Sequence, residues 1–426
     1  MAGEMNNMRA LFLAVCTAVA VAGCGKADLG PVTPTGDYKL YVATSTTNSE
    51  LVAVIDSRSH SVERSLPLGT PSPDWKHLYS MKSTTLVDVD PKTGATRHTL
   101  HLPGQFQLPP ATIGGVPGGL SQDGRWLVLQ AFDTPTDFPS ATHFAVVDTS
   151  YAKLVKQVDL TGYFQFDAIS NDGQRIYLIK YLSSSEYQVR FLNVGTGQLD
   201  PTIVFDKSDG SSAMAGLRLS GVASPDGHWL YSVYIRQDKG AFIHALSLDN
   251  PIAFCIDLPG SGYASSQDGF RWSLALSADG SHLFAANGAT GVVADIDTSN
   301  GTPALTRTVH IDTTAQSASL FVQDVQAKEF GASGAVLSPD GRTLVMSGAT
   351  GVVWVDTATL HAHGRQLANW TVWSLALSPN GNNLYAVSDS GMLAEMSMAG
   401  THLATVFPGG AGQPMALLRV EAAQVP

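Results

Sequence analysis

The chain is poor in the residues that usually announce chemistry. Its 426 residues include three cysteines, Cys16, Cys24 and Cys255, and charged side chains make up only 14% of the sequence. Cys255 alone falls in the main body of the chain, so no intrachain disulfide is expected there, and its setting in Ala253-Phe254-Cys255-Ile256 reads as a small buried hydrophobe. No Cys-x-x-Cys-His marks a covalent haem, and no Gly-x-Ser-x-Gly marks a nucleophile elbow. His361 and His363 share one strand face, but no third ligand lies near them, so neither a metal nor a cofactor is expected. The net charge of −11 disfavours nucleic acid as a partner. The uninterrupted apolar or small-residue run at 10–22 spans 13 residues, short of the ~20 a membrane-spanning helix needs.

That run is placed as a signal-peptide core, with Arg9 just before it. It ends in Val21-Ala22-Gly23-Cys24, which resembles a bacterial lipobox. The resemblance implies cleavage before Cys24 and a diacylglyceryl group on its thiol. Residues 1–23 are then a lipoprotein signal, and residues 24–37, with Pro31, Pro34 and several glycines, are a lipidated cysteine and flexible tether. More than one lipid chain on a cysteine anchors stably where one would be marginal. The expected location is extracytoplasmic, on a bacterial membrane, held through the anchor alone.

What the sequence has in quantity is one repeated unit. An apolar stretch, a Ser, a Pro or other small residue, Asp/Asn-Gly and a second apolar stretch recur at 120–129, 169–179, 223–233, 276–285, 337–346 and 377–387. A seventh copy at 71–80 keeps Ser72-Pro73-Asp74 but carries Trp75 where Gly stands elsewhere. The Asp/Asn markers are 40 to 61 residues apart, and Trp-Ser-Leu-Ala-Leu-Ser occurs twice, at 272–277 and 373–378. Ser-Pro-Asp-Gly is turn chemistry: Pro presets φ, Asp caps, and Gly takes positive φ. Leu-, Val-, Ile- and Tyr-rich runs on either side, with two more per unit, make four antiparallel strands, and such units repeated round an axis form a β-propeller. Asp56, Asp90, Asp148, Asp297 and Asp356 recur after third strands and read as turn caps.

Leu40-Tyr41-Val42-Ala43-Thr44, continuing through Val54-Ile55-Asp56, resembles the YVTN-type propeller repeat. The Ser-Pro-Asp-Gly units resemble the Pro-Asp-Gly repeats of bacterial periplasmic and surface proteins. The likeness covers roughly residues 38–420 and implies fold without activity. Residues 38–422 are accordingly assigned to one all-β propeller of four-stranded antiparallel blades. Eight blades are expected; seven is the alternative, because the Trp75 unit is irregular and has almost no inner strand. The chain enters at a second strand, and residues 414–420 form an orphan apolar strand that would complete the first blade and close the ring.

Strand alternation puts the Asp-Gly turns on one face and the long segments at 102–116, 132–141, 206–216, 259–271 and 312–331 on the other. Variable loops on a rigid scaffold are where function concentrates. On that face Trp272 and Trp373 stand seven residues before their turns, beside Arg271, with Phe166 and Arg218 near the equivalent point of other blades. These five are the candidate binding residues, with inter-blade packing as the competing reading. Asp133, Asp137 and Phe138 share one loop, and Asp324, Lys328 and Glu329 another; both sets also read as ordinary exposed loop residues. The expected role is a monomeric binding or scaffold protein for an envelope protein or glycan. The alternative is a propeller enzyme, lactonase-like or a lyase, with its site at the channel mouth.

Overall fold

In a computed structural model, the residues described are 36–423 apart from 48, 185, 207–212, 314–333, 403 and 411. The signal segment, Cys24, most of the tether, and Asp324, Lys328 and Glu329 lie outside them.

Eight antiparallel sheets follow one another along the chain. Blade 2 is Thr70–Pro71, Leu78–Lys82, Thr85–Val89 and Thr96–His101, from the inside out. Blade 3 has Trp126–Phe132, Ala141–Asp148 and Lys153–Thr161. Blade 4 is Phe164–Ile169, Arg175–Tyr181, Glu186–Asn193 and Gln198–Val204, and blade 5 is Leu217–Ala223, Trp229–Ile235, Phe242–Ser247 and Ala253–Asp257. Blade 6 is Trp272–Leu276, His282–Asn287, Val292–Asp297 and Ala304–His310. Blade 7 is Ala335–Leu337, Thr343–Ser347, Val352–Asp356 and Ala362–Gln366; blade 8 is Val372–Leu377, Asn383–Ser388, Met392–Ser397 and Thr405–Pro408. Blade 1 takes three strands from the N-terminal side, Tyr38–Ser45, Glu50–Asp56 and Ser61–Pro67, and its inner strand from the other end, Gln413–Ala422. The register runs from Tyr38↔Ala422 to Ser45↔Gln413, and Ser374 of blade 8 accepts from Leu417 N at 3.0 Å. The ring is therefore closed by hydrogen bonds between chain ends, and the count is eight.

The turns explain why the repeat is written as it is. Ser277 Oγ donates to Asp279 at 2.6 Å and accepts from His282 N at 2.9 Å, so one hydroxyl staples both sides of the turn. The same pair of bonds recurs at Ser72, Ser121, Ser170, Ser224, Ser338 and Ser378. An added Cβ on Gly124, Gly280 or Gly381 would come within 3.0 Å of the Pro73, Pro225 or Pro339 ring of the preceding blade, so these turns touch in sequence around one face. Blade 7 departs from the pattern. Ala278 stands where its neighbour would offer a Pro, and nothing lies within 4 Å of a Cβ on Gly341.

The two irregular blades have identifiable causes. Trp75 takes the left-handed φ of 55° that Gly takes elsewhere, and its ring is 3% exposed, edge-on to Tyr41 at 4.9 Å. Burial of a large ring offsets the strain of that backbone. In blade 3 the inner strand shrinks to two isolated bridges, Leu120↔Leu127 and Gln107↔Gln130, where Pro109, Pro110 and Pro117 remove donors and four glycines at 114, 115, 118 and 119 remove stiffness from the segment. The third-strand aspartates cap turns as expected; Asp56 accepts from Arg58 N at 3.0 Å and Ser59 N at 2.6 Å, and Asp90, Asp148, Asp297 and Asp356 do likewise. Cys255 departs from expectation: it is half-buried, with Sγ 3.8 Å from His244 Nδ1.

Candidate functional site

The crossing from blade 2 to blade 3 folds inward over the channel. Its arms at 109–111 and 116–118 pair with each other, through Ala111 N to Val116 O and Gly118 N to Pro109 O, both 2.7 Å. Ile113 N donates to Leu219 O of blade 5 at 3.0 Å, and Thr70 of blade 2 donates to Gly118 O at 2.6 Å. Arg218 of blade 5 clamps the segment by donating to Pro110 O at 2.9 Å and Ala111 O at 3.0 Å. Its other arm meets Asp167 of blade 4 at 2.6 Å, with the carboxylate side chain 1% exposed. Burial opposes the Arg218 charge, but Asp167 more than compensates and holds the guanidinium above its ordinary range. Under this roof a chamber of about 530 Å³ runs to the turns holding Ser72 and Ser121 on the far face, and Phe166, Asp167 and Arg218 line it.

The five sequence candidates therefore divide. Phe166 and Arg218 come together in the chamber, and Arg218 is committed to the roof. Trp272 is 4% exposed and packs between blades 5 and 6 with Tyr231, Val233 and Ile235. Arg271 spends its guanidinium on Gly348 O of blade 7 at 2.9 Å. Trp373, in the second copy of the same hexapeptide, sits in a bulge between Val372 and Ser374 and remains half-buried, outside the packed clusters. His361 and His363 are exposed at the outer edge of blade 7. No three potential metal ligands cluster among the described residues.

The long-loop face carries a second concavity that the sequence reading did not single out. Between blades 2 and 3 a groove of about 600 Å³ is bounded by Ser83 on one side, Thr134, Pro135 and Thr136 on the other, and Gln105 and Gln107 of the crossing segment along its floor. Phe106 and Phe132 add apolar wall, and no ionisable side chain lines it among the described residues. Gln105 and Gln107 are exposed, whereas Gln130 is buried and accepts from Phe166 N at 3.2 Å. Behind Phe132 stands a stack of rings: Tyr163 lies edge-on to Phe132 at 5.7 Å and to Phe138 at 5.4 Å, and stacks on Tyr181 at 4.6 Å. Burial pushes the Tyr181 hydroxyl up to about 12, and it donates to Gln165 at 3.1 Å. Phe138 is 45% exposed beside the groove. Asp133 is not free for chemistry: the Ser140 hydroxyl and Ala141 N hold the loop to it and lower its pKa. The signal available in sequence was an aromatic at the exit of two adjacent second strands, Phe132 and Tyr181, with Tyr163 between them.

No protein-family model matches the chain, and no curated protein does. Solved structures do. The chain is similar to the dihydro-heme d1 dehydrogenase NirN, at 14% identity and a TM-score of 0.53 over 91% of this chain and 76% of that one. It also matches the Pseudomonas aeruginosa periplasmic gluconolactonase, at 19% identity and 0.45 over 92% and 100% of the chains. A third match is Kuenenia stuttgartiensis hydrazine synthase, at 14% identity and 0.42 over 79% and 99%. At these identities the likeness is one of fold, and the chain is a β-propeller.

Proposed function

We propose that the protein is a glycan-binding lipoprotein of the bacterial envelope, anchored through Cys24 and capturing a neutral oligosaccharide in the groove between blades 2 and 3. The observation that carries this reading is the lining: amides at Gln105 and Gln107, hydroxyls at Ser83, Thr134 and Thr136, apolar ring walls and no charge. Sugar hydroxyls both donate and accept, as amides and hydroxyls do, while the C–H faces of a sugar ring pack on aromatic surface. A protein partner is the weaker reading, because the large exposed hydrophobics near the groove among the described residues are isolated ones such as Phe138 and Leu182, not the contiguous aromatic and apolar centre of a protein interface. An enzyme at the channel mouth has less support, since Arg218 there is spent on Asp167 and the roof carbonyls.

The test is calorimetric titration of the full chain in detergent with an N-acetylglucosamine tetramer. Gln105→Ala and Gln107→Ala should each weaken binding about 5- to 10-fold with unchanged melting temperature, the loss of about one net hydrogen bond. Absence of binding, or binding both variants leave untouched, contradicts the groove as the site. Cys24→Ser should move the protein from the membrane to the soluble fraction; a variant that stays on the membrane contradicts the anchor.

A further inference from the structure

The blade 4–blade 5 interface packs an apolar cluster of Ile179, Val189, Phe242 and Leu246, and buried polar atoms sit among and beside these side chains. Asp167 Oδ2, Tyr187 Oη, Ser232 Oγ, Tyr234 Oη and His244 Nε2 are all buried there, and none hydrogen-bonds to a described residue. Buried polar atoms are paired in the great majority of cases, so the two of these residues that border a cavity, Asp167 and Ser232, point to a partner inside it. Tyr187 stacks on Tyr234 at 5.5 Å, Tyr234 lies edge-on to His244 at 5.9 Å, and Ser232 is the cross-strand partner of His244. Asp167 and Ser232 reach the central chamber and line it. Gly221, opposite Ser232 on the inner strand, keeps the approach open: a Cβ there would lie 2.8 Å from Ser232 Oγ.

We infer that the chamber under the roof is a second binding site, independent of the rim groove, for one small neutral polyhydroxylated molecule of monosaccharide size. Its volume of about 530 Å³ suits such a ligand. The free valences on the chamber wall are mixed, since Asp167 can only accept while the Ser232 hydroxyl both donates and accepts, and a hydroxyl is the ligand group that satisfies either kind. Charge argues the same way. Asp167 and Arg218 neutralise each other at 2.6 Å, and Arg419, which also lines the chamber, is paired with Glu421 at 2.7 Å, so an ammonium or carboxylate ligand would add an uncompensated charge. Burial holds Tyr187 and Tyr234 well above their ordinary pKa and lowers that of His244, keeping all three neutral. Phe166 offers its ring to the apolar face of the ligand.

The experiment is calorimetric titration of the full chain in detergent with glucose, myo-inositol and mannitol, with glucosamine and gluconate as charged probes. At least one neutral probe should bind with unit stoichiometry. Ser232→Ala should weaken it about 3- to 10-fold. Gly221→Ala, which fills the approach without touching the Asp167–Arg218 pair, should abolish it. Phe138→Ala and Gln105→Ala, on the rim, should leave it unchanged, so loss of the groove reading would not remove this one. The inference is overturned if no neutral probe binds, if a charged probe binds more tightly, or if Ser232→Ala leaves affinity unchanged in a folded protein.

Discussion

Arg218 and Asp167, on neighbouring blades, form a 2.6 Å ion pair whose carboxylate is almost wholly buried, and the same guanidinium holds the Pro110 and Ala111 carbonyls. One side chain thus ties two blades to the loop that covers the channel. Breaking a buried pair by removing one partner is costly because the other charge stays buried alone. Arg218→Ala should lose about 3–5 kcal/mol in urea unfolding. It should also speed proteolysis within 109–118; a variant as stable and as resistant as the parent contradicts the clamp.

The identical hexapeptides at 272–277 and 373–378 give a paired test. Trp272→Ala empties a packed position between blades 5 and 6 and should cost about 3–5 kcal/mol. Trp373→Ala, in a half-exposed bulge, should cost less than about 1 kcal/mol. Equal losses in denaturant would show that the two copies are packed alike.

Ala278 leaves the space beside Gly341 open, where Pro73, Pro225 and Pro339 fill it in other blades. Ala278→Pro should stabilise by about 0.4–1 kcal/mol, through lower chain entropy in the unfolded state. A lower melting temperature would mean that the backbone at 278 does not hold the φ that proline requires.

Acid stability follows from the caps. Burial alone would raise the Asp56 pKa, but Lys39 Nζ at 2.6 Å and the Ser59 N–H outweigh it and hold the group at about 2; Asp74 is likewise at about 2, with Ser72 and Lys76 outweighing burial. A carboxylate whose folded pKa is depressed contributes stability that is present above its unfolded pKa of about 3.9 and lost as pH falls through the folded value. Unfolding free energy should therefore decline between pH of about 4 and about 2, by roughly 1 kcal/mol per paired carboxylate after solvent screening. Lys39→Met should raise the Asp56 pKa and flatten this limb; an unchanged acid profile contradicts the pairing.

The closing strand predicts that a chain ending at Gly412 loses the inner strand of blade 1 and exposes the edge of Tyr38–Ser45. That truncation should aggregate or melt far below the full chain. A soluble, equally heat-stable product contradicts closure by strand Gln413–Ala422.

The ring was legible in the sequence because each blade repeats local turn chemistry. Ser, Asp and Gly in fixed spacing write the staple seen at Ser277, and the unpaired strand at the C-terminal end matched the missing one at Tyr38. The site was less legible because its parts meet only across blades. Nothing local says that 109–118 turns inward, since Pro110, Ala111 and Ile113 meet Arg218 and Leu219, over a hundred residues away in sequence. Nor does local sequence separate Trp272 from Trp373; a one-residue bulge does so. The groove of Gln105, Phe132 and Thr134 joins a crossing segment to a blade loop, and only ring geometry makes them neighbours.

Hydrogen–deuterium exchange of the full chain with and without an N-acetylglucosamine tetramer tests the working face most directly. The account predicts added protection at 83–85, 105–107 and 130–136 on the long-loop rim. Protection confined to the opposite turns at 277–282 and 339–342 would contradict it.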